Sequence, residues 1–126
     1  MARKKTPGLT DAELKLMDVL WDRGEATVSE VVASLTQKPP LAYSTVLTTL
    51  RILENKGYAR HTKQGRAFVY RAVVGRDKAR QKAVTHLLGR FFEGSPGALV
   101  LNLLEARKID AESLDRLRKR IEDEGA

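Results

Sequence analysis

The chain has 126 residues, 42% of them hydrophobic and 31% charged, which suits one globular domain with a small appendage and argues against wholesale disorder. It holds no cysteine, which excludes disulfides, thiol catalysis and thiolate metal sites, and no apolar run approaches the ~20 residues of a membrane-spanning helix. The net charge of +7 is unevenly spread: between residues 38 and 71, Lys38, Arg51, Lys56, Arg60, Lys63, Arg66 and Arg71 face a single acid, Glu54, whereas residues 76–126 mix both signs. A concentrated basic segment suggests a polyanion partner. The N-terminus, "MARKKTPG", is basic but has no apolar signal core, so a cytoplasmic location without membrane insertion is expected.

The first element opens with "LTDAELKLMDVLW". Thr10 and Glu13 have the spacing of a capping box, and Leu9 with Leu14 that of a hydrophobic staple. Leu14, Met17, Leu20 and Trp21 then recur at helical spacing, predicting a helix over about 11–22, which "RGEA" ends. Thr27 and Glu30 repeat the capping box ahead of a short helix over about 28–36, striped by Val28, Val31, Val32 and Leu35. Pro39 and Pro40 cannot continue it. A third helix begins near Tyr43 and ends at Gly57, a suitable residue just past a helix end.

Beyond Gly57 the period changes from helical to alternating. "YARHT" and "AFVYR" flank the loop "KQGR", which predicts a β-hairpin. Three helices and then a hairpin make a winged helix-turn-helix. From Gly75 the chain is helical again: a helix over about 77–93 carries Val84, Leu87, Leu88, Phe91 and Phe92. Ser95 caps a short helix with Pro96 at its first position and Leu99, Val100, Leu103 and Leu104 along it. Asp110 caps a last helix striped by Leu114, Leu117 and Ile121. These three helices have too little chain to bury that apolar surface alone, and twofold pairing with a second copy is the economical solution. Leu87, Leu88, Phe91, Leu99, Leu103, Leu114 and Leu117 are the candidate dimerisation residues. The expected fold class is mainly α with a small β-hairpin: a basic tail over 1–8, a winged helix over 9–74 and a helical dimerisation domain over 75–126.

The third helix, "YSTVLTTLRILEN", is rich in weak helix formers, and they divide by face. At ~100° per residue, Val46, Leu50 and Leu53 fall together as a buried stripe, with Tyr43 and Thr49 on its shoulders. Ser44, Thr45, Thr48 and Arg51 fall opposite. Short hydroxyls let a helix lie close to a polar surface and bond phosphates or base edges, and arginine reads guanine or anchors phosphate. These four are the candidate DNA-reading residues, joined by Lys63 and Arg66 at the "KQGR" tip and Arg60 on the preceding strand. Ile52, also on the outward side, fits less well: it either packs beneath the wing or meets a thymine methyl. Arg3, Lys4 and Lys5 suit either a DNA-contacting arm or a solvated tail.

No nucleophile, base and orienting group stand together, so no enzyme is expected, and no cofactor or metal site is indicated. His61 and His86 lack a carboxylate partner at metal-ligand spacing and are expected to be ordinary surface or interface residues.

"LTDAELKLMDVLW", "TVSEVV", "YSTVLTTLRILENKGY", the "YR" closing the hairpin and "ALVLNLLE" resemble, in the same order, segments of the penicillinase-repressor family, the BlaI/MecI group that also includes copper-responsive CopY repressors. The resemblance runs from about Leu9 to Ile121. It implies a homodimeric repressor that binds dyad-symmetric operators of the TACA/TGTA type, with Ser44, Thr45, Thr48 and Arg51 in the recognition helix. Copper-responsive members carry paired Cys-x-Cys motifs, and this chain has no cysteine. In antibiotic-responsive members, induction is proteolytic, within an "LVLNF"-like segment; the resemblance puts the equivalent bond between Asn102 and Leu103, with a membrane sensor metalloprotease as the implied partner. Leucine stands at 103 where the best-known members have phenylalanine. The competing expectations are a nonspecific or architectural DNA-binding protein, a winged helix used for protein contact, and a ligand-responsive winged-helix regulator.

Overall fold

The computed structural model describes residues 8–36 and 39–125. Arg3, Lys4, Lys5 and Lys38 lie outside them. The chain divides into two compact units, Met1–His86 and Leu87–Ala126.

In the first unit, α1 (Asp11–Arg23), β1 (Glu25–Thr27), α2 (Val28–Ser34) and α3 (Tyr43–Asn55) precede β2 (Ala59–Gln64) and β3 (Ala67–Ala72), and α4 (Arg76–Phe91) begins. Both capping boxes form. The amide of Glu13 donates to Thr10 Oγ1 and the amide of Thr10 to Glu13 Oε1; Glu30 and Thr27 repeat the exchange. Each box satisfies two amides that a helix start leaves without partners. At the end of α3, Gly57 adopts φ 86°, a left-handed conformation in which a side chain is strained, and so turns the chain towards β2.

The sheet has three strands rather than the two of a lone hairpin. All are antiparallel in the order β1-β3-β2, with Glu25 opposite Arg71 and Arg60 opposite Arg71 on its other side. The "EAT" of β1 is too short for an alternating pattern and forms because the free edge of β3 offers unpaired amides and carbonyls. The hairpin turn is also tighter than the four-residue loop expected. The ladder runs on to Gln64 opposite Ala67, leaving Gly65 and Arg66 as the turn, with Gly65 at φ 62°.

Leu16, Met17, Leu20, Val31, Val46, Leu50 and Leu53 are fully buried, joined by Ala26, Val28 and Tyr70. Helix α1 faces the core through Leu16 rather than Leu14, which is 42% exposed. Leu14 and Trp21 instead border a groove of about 270 Å³, also lined by Leu9, Tyr58, Ala79 and Ala83 and rimmed by Asp18, Arg76 and Arg80. Trp21 is held there by its indole N–H, which donates to the Val74 carbonyl at 2.9 Å, and by the Arg76 guanidinium 5.1 Å above its ring.

The second unit contains the end of α4, α5 (Pro96–Glu105) and α6 (Ala111–Gly125). Ser95 Oγ accepts from the Ala98 amide, and the Asp110 carboxylate from the Ser113 amide at 2.7 Å; this bond holds the Asp110 carboxyl below its usual range. No residue of α5 or α6 is buried. Leu87, Phe91, Val100, Leu101, Leu104, Leu114, Leu117 and Ile121 are all exposed, Leu99 and Leu103 are half-buried, and Leu88 is nearly covered.

Candidate nucleic-acid interface

Helix α3 separates its two chemistries by face. Val46, Leu50 and Leu53 are at 0% exposure, while Ser44, Thr45, Thr48 and Arg51 are exposed. Thr49 is half-buried and its hydroxyl donates to the Thr45 carbonyl at 2.8 Å, so this hydroxyl is used within the helix, unlike the outward set. Ile52, on the outward side, is 41% exposed.

The wing supplies cations in three directions. Arg66 occupies the turn. Lys63, expected at the tip, lies within β2 opposite Phe68, on the sheet face shared by His61 and Tyr70. Arg60 lies opposite Arg71, and strand alternation puts both on the other face. Among the described residues, none of Arg51, Arg60, Lys63, Arg66 and Arg71 forms an ion pair with an acid. These five cations, with no acid paired to them, give the wing and the outward face of α3 a positive potential.

A contact absent from the sequence reading joins the helix to the wing. His61 Nδ1 is 2.7 Å from Glu54 Oε1, and the His61 amide donates to Glu54 Oε2 at 3.3 Å. The imidazole also meets the ring of Phe68 edge-on, at 5.4 Å, and lies 5.2 Å from that of Tyr70. Glu54, the lone acid of the helix, thereby orients the wing strand and leaves the outward face without negative charge. Burial pushes the Tyr70 phenol up, and the Glu54 carboxylate adds to the shift. Glu54 belongs to α3 and His61 to β2, so no single period links them, and only the fold reveals the pair. No group of three His, Cys, Asp or Glu side chains able to hold a metal occurs among the described residues.

A three-helix core that turns hydroxyls and a guanidinium outward, beside a cationic three-stranded wing, is a DNA-binding winged helix. The chain belongs to the penicillinase repressor family, whose model matches residues 9–123. It is 32% identical over 120 residues to the penicillinase repressor of Bacillus licheniformis, covering 95% of this chain and 94% of that protein. Over 117 residues it is 33% identical to the transcriptional regulator BlaI of Mycobacterium tuberculosis, covering 91% and 83% respectively. The solution structure of the DNA binding domain of the repressor BlaI matches with a TM-score of 0.51 and 34% identity, covering 60% of this chain and 93% of that one. The family is one of transcriptional repressors and not of enzymes. No helix among the described residues is long and apolar enough to cross a membrane.

Proposed function

We propose that this chain represses transcription from the cytoplasm as a homodimer bound to dyad-symmetric operators of the TACA/TGTA type. The observation that carries the reading is the division of α3, with its apolar stripe fully buried and Ser44, Thr45, Thr48 and Arg51 exposed on the opposite face. These four meet base edges and adjoining phosphates in the major groove, while Arg60, Lys63 and Arg66 neutralise the flanking backbone. A twofold dimer sets two such helices one DNA turn apart, ~34 Å. The exposed leucines and Phe91 of α4, α5 and α6 are the surface the second copy covers.

Tethering makes the second half-site an intramolecular contact, so loss of the dimer releases DNA. We assign induction to cleavage of the Asn102–Leu103 bond by a membrane sensor metalloprotease. Asn102 is exposed and α5 buries no residue within its own chain, so the packing that opposes unwinding this helix into a protease site is that of the seam with the second copy.

The test is the affinity for a TACA/TGTA dyad against random duplex of equal length at one stated salt concentration. Preference for the dyad supports specific repression. Equal affinity for both identifies a nonspecific, architectural protein, and no salt-dependent binding at all identifies a winged helix devoted to protein contact.

A ligand-responsive regulator is the second reading, and the groove beside Trp21 favours it. Trp21 is the sole tryptophan, so a ligand entering the groove would change the intrinsic fluorescence directly.

A further inference from the structure

Ile52 interrupts the chemistry of the outward face of α3. One turn beyond Thr48 and two beyond Thr45, it falls between them on the helix surface, with 41% of its surface exposed. A β-branched side chain there is a weaker helix former than alanine or lysine, and it leaves apolar area in water. A partner lying along this face of α3 would cover that area.

On the major-groove edge of DNA, the C5 methyl of thymine is the apolar group that such a side chain can cover. Isoleucine in a helix is held almost entirely in one χ1 rotamer, so the contact sacrifices little side-chain freedom. Thr45 and Thr48, on either side, supply hydroxyls for the polar atoms of neighbouring bases. We propose that Ile52 packs on a thymine methyl in each operator half-site and makes this protein's readout depend on that methyl. The proposal rests on the reading of α3 as a DNA-recognition helix and adds the base it selects.

The experiment uses the full-length protein and synthetic duplexes carrying the TACA/TGTA dyad, with each thymine replaced in turn, symmetrically in both half-sites, by deoxyuridine. Deoxyuridine keeps every pairing and groove hydrogen-bonding atom and lacks only the methyl. At one thymine position the wild type should lose about fourfold in affinity per half-site, the transfer value of one methyl-sized group. Ile52→Ala should lose a similar factor on the thymine duplex and nothing further on deoxyuridine at that position, while Ile52→Val keeps the dependence. Circular dichroism should show Ile52→Ala folded as the wild type is. Equal deoxyuridine losses in wild type and Ile52→Ala, or no loss at any position in the wild type, would overturn the contact while leaving operator binding intact. Wild-type binding no tighter to the dyad than to random duplex would overturn the recognition-helix reading itself, and the contact with it.

Discussion

Lys56 Nζ lies 2.7 Å from Glu13 Oε1, and both side chains are more than nine-tenths buried. Lys56 ends α3, and Glu13 is the third residue of α1, so one ion pair fastens the end of the recognition helix to the start of the fold. Both partners are further satisfied: Lys56 donates to the Gly8 carbonyl at 3.0 Å, and Glu13 accepts from the Thr10 amide. Removing one member of a buried pair leaves the other charge without compensation, which costs ~3–5 kcal/mol. Lys56→Met should therefore destabilise the first unit by about 3 kcal/mol, at the lower end because Thr10 still bonds Glu13. Urea unfolding followed through Trp21 fluorescence measures this. Adding Glu13→Gln should restore part of the loss, and a double variant no better than Lys56→Met would show that the buried carboxylate is not the source of the cost.

This pair also marks where the sequence stopped being legible. The capping boxes at Thr10 and Thr27, the breaks at Pro39 and Gly57 and the two faces of α3 are local signals, set by spacings of three or four residues, and all appear in the fold. In α1 the same reasoning slipped in phase. Trp21 does pack against the core, but Leu14 is exposed, and the buried face is instead completed by Leu16 and Glu13, which the stripe of Leu14, Met17, Leu20 and Trp21 does not include. A carboxylate is buried there because Lys56, forty-three residues away, neutralises it. The strand β1 is likewise a product of pairing with a distant segment, and the Glu54–His61 contact and the placement of Lys63 within β2 arise where neighbouring elements meet, which no single local period encodes.

Thr27 offers a test of the local signals. Replacing it with alanine removes the hydroxyl that accepts from the Glu30 amide and should cost about 1 kcal/mol of stability. Its bonds also act on Glu30, whose carboxyl is held below its usual range first by the Thr27 backbone N–H, then by the Thr27 hydroxyl, with Arg23 contributing. A lowered carboxylate pKa means that this stabilisation is present above the pKa of an unfolded glutamate and is lost as pH falls through the folded value. In Thr27→Ala the backbone donor remains, so the Glu30 carboxyl should rise only partway towards an ordinary glutamate. A carbon-detected NMR titration of Glu30 reads this; an unchanged midpoint would assign the shift to the backbone donor alone.

The cations of the interface should divide by what they touch. Arg51 shares the outward face of α3, so Arg51→Ala should cost about 1–3 kcal/mol on the operator and relax discrimination at one base pair. An equal loss on scrambled duplex would instead make Arg51 a phosphate clamp. Lys63→Ala and Arg66→Ala should weaken binding to all sequences alike, each lowering the slope of log affinity against log salt by about 1.8, since the dimer loses one phosphate contact in each half-site. Anisotropy titrations of wild type and variants at several salt concentrations measure both effects. A slope that stays fixed when Arg66 is removed would mean that the turn does not approach the phosphates.

The second unit carries the most exposed apolar surface, with Phe91 at 65% and Ile121 at 72%. A charge at Phe91 thus costs the isolated chain little, since the ring is already in water, but it would be buried without a partner between two copies, where several kcal/mol oppose it. Phe91→Glu should therefore yield a folded monomer, with half the wild-type mass in sedimentation and unchanged Trp21 fluorescence from the first unit. Its operator affinity should fall by about 10² or more, because each recognition helix then binds alone and the avidity of the linked half-sites is lost. Leu103→Glu, and scission after Asn102, should do the same. A monomeric Phe91→Glu variant that binds the dyad as tightly as the wild type would uncouple dimerisation from operator binding, and cleavage in α5 would then no longer account for release.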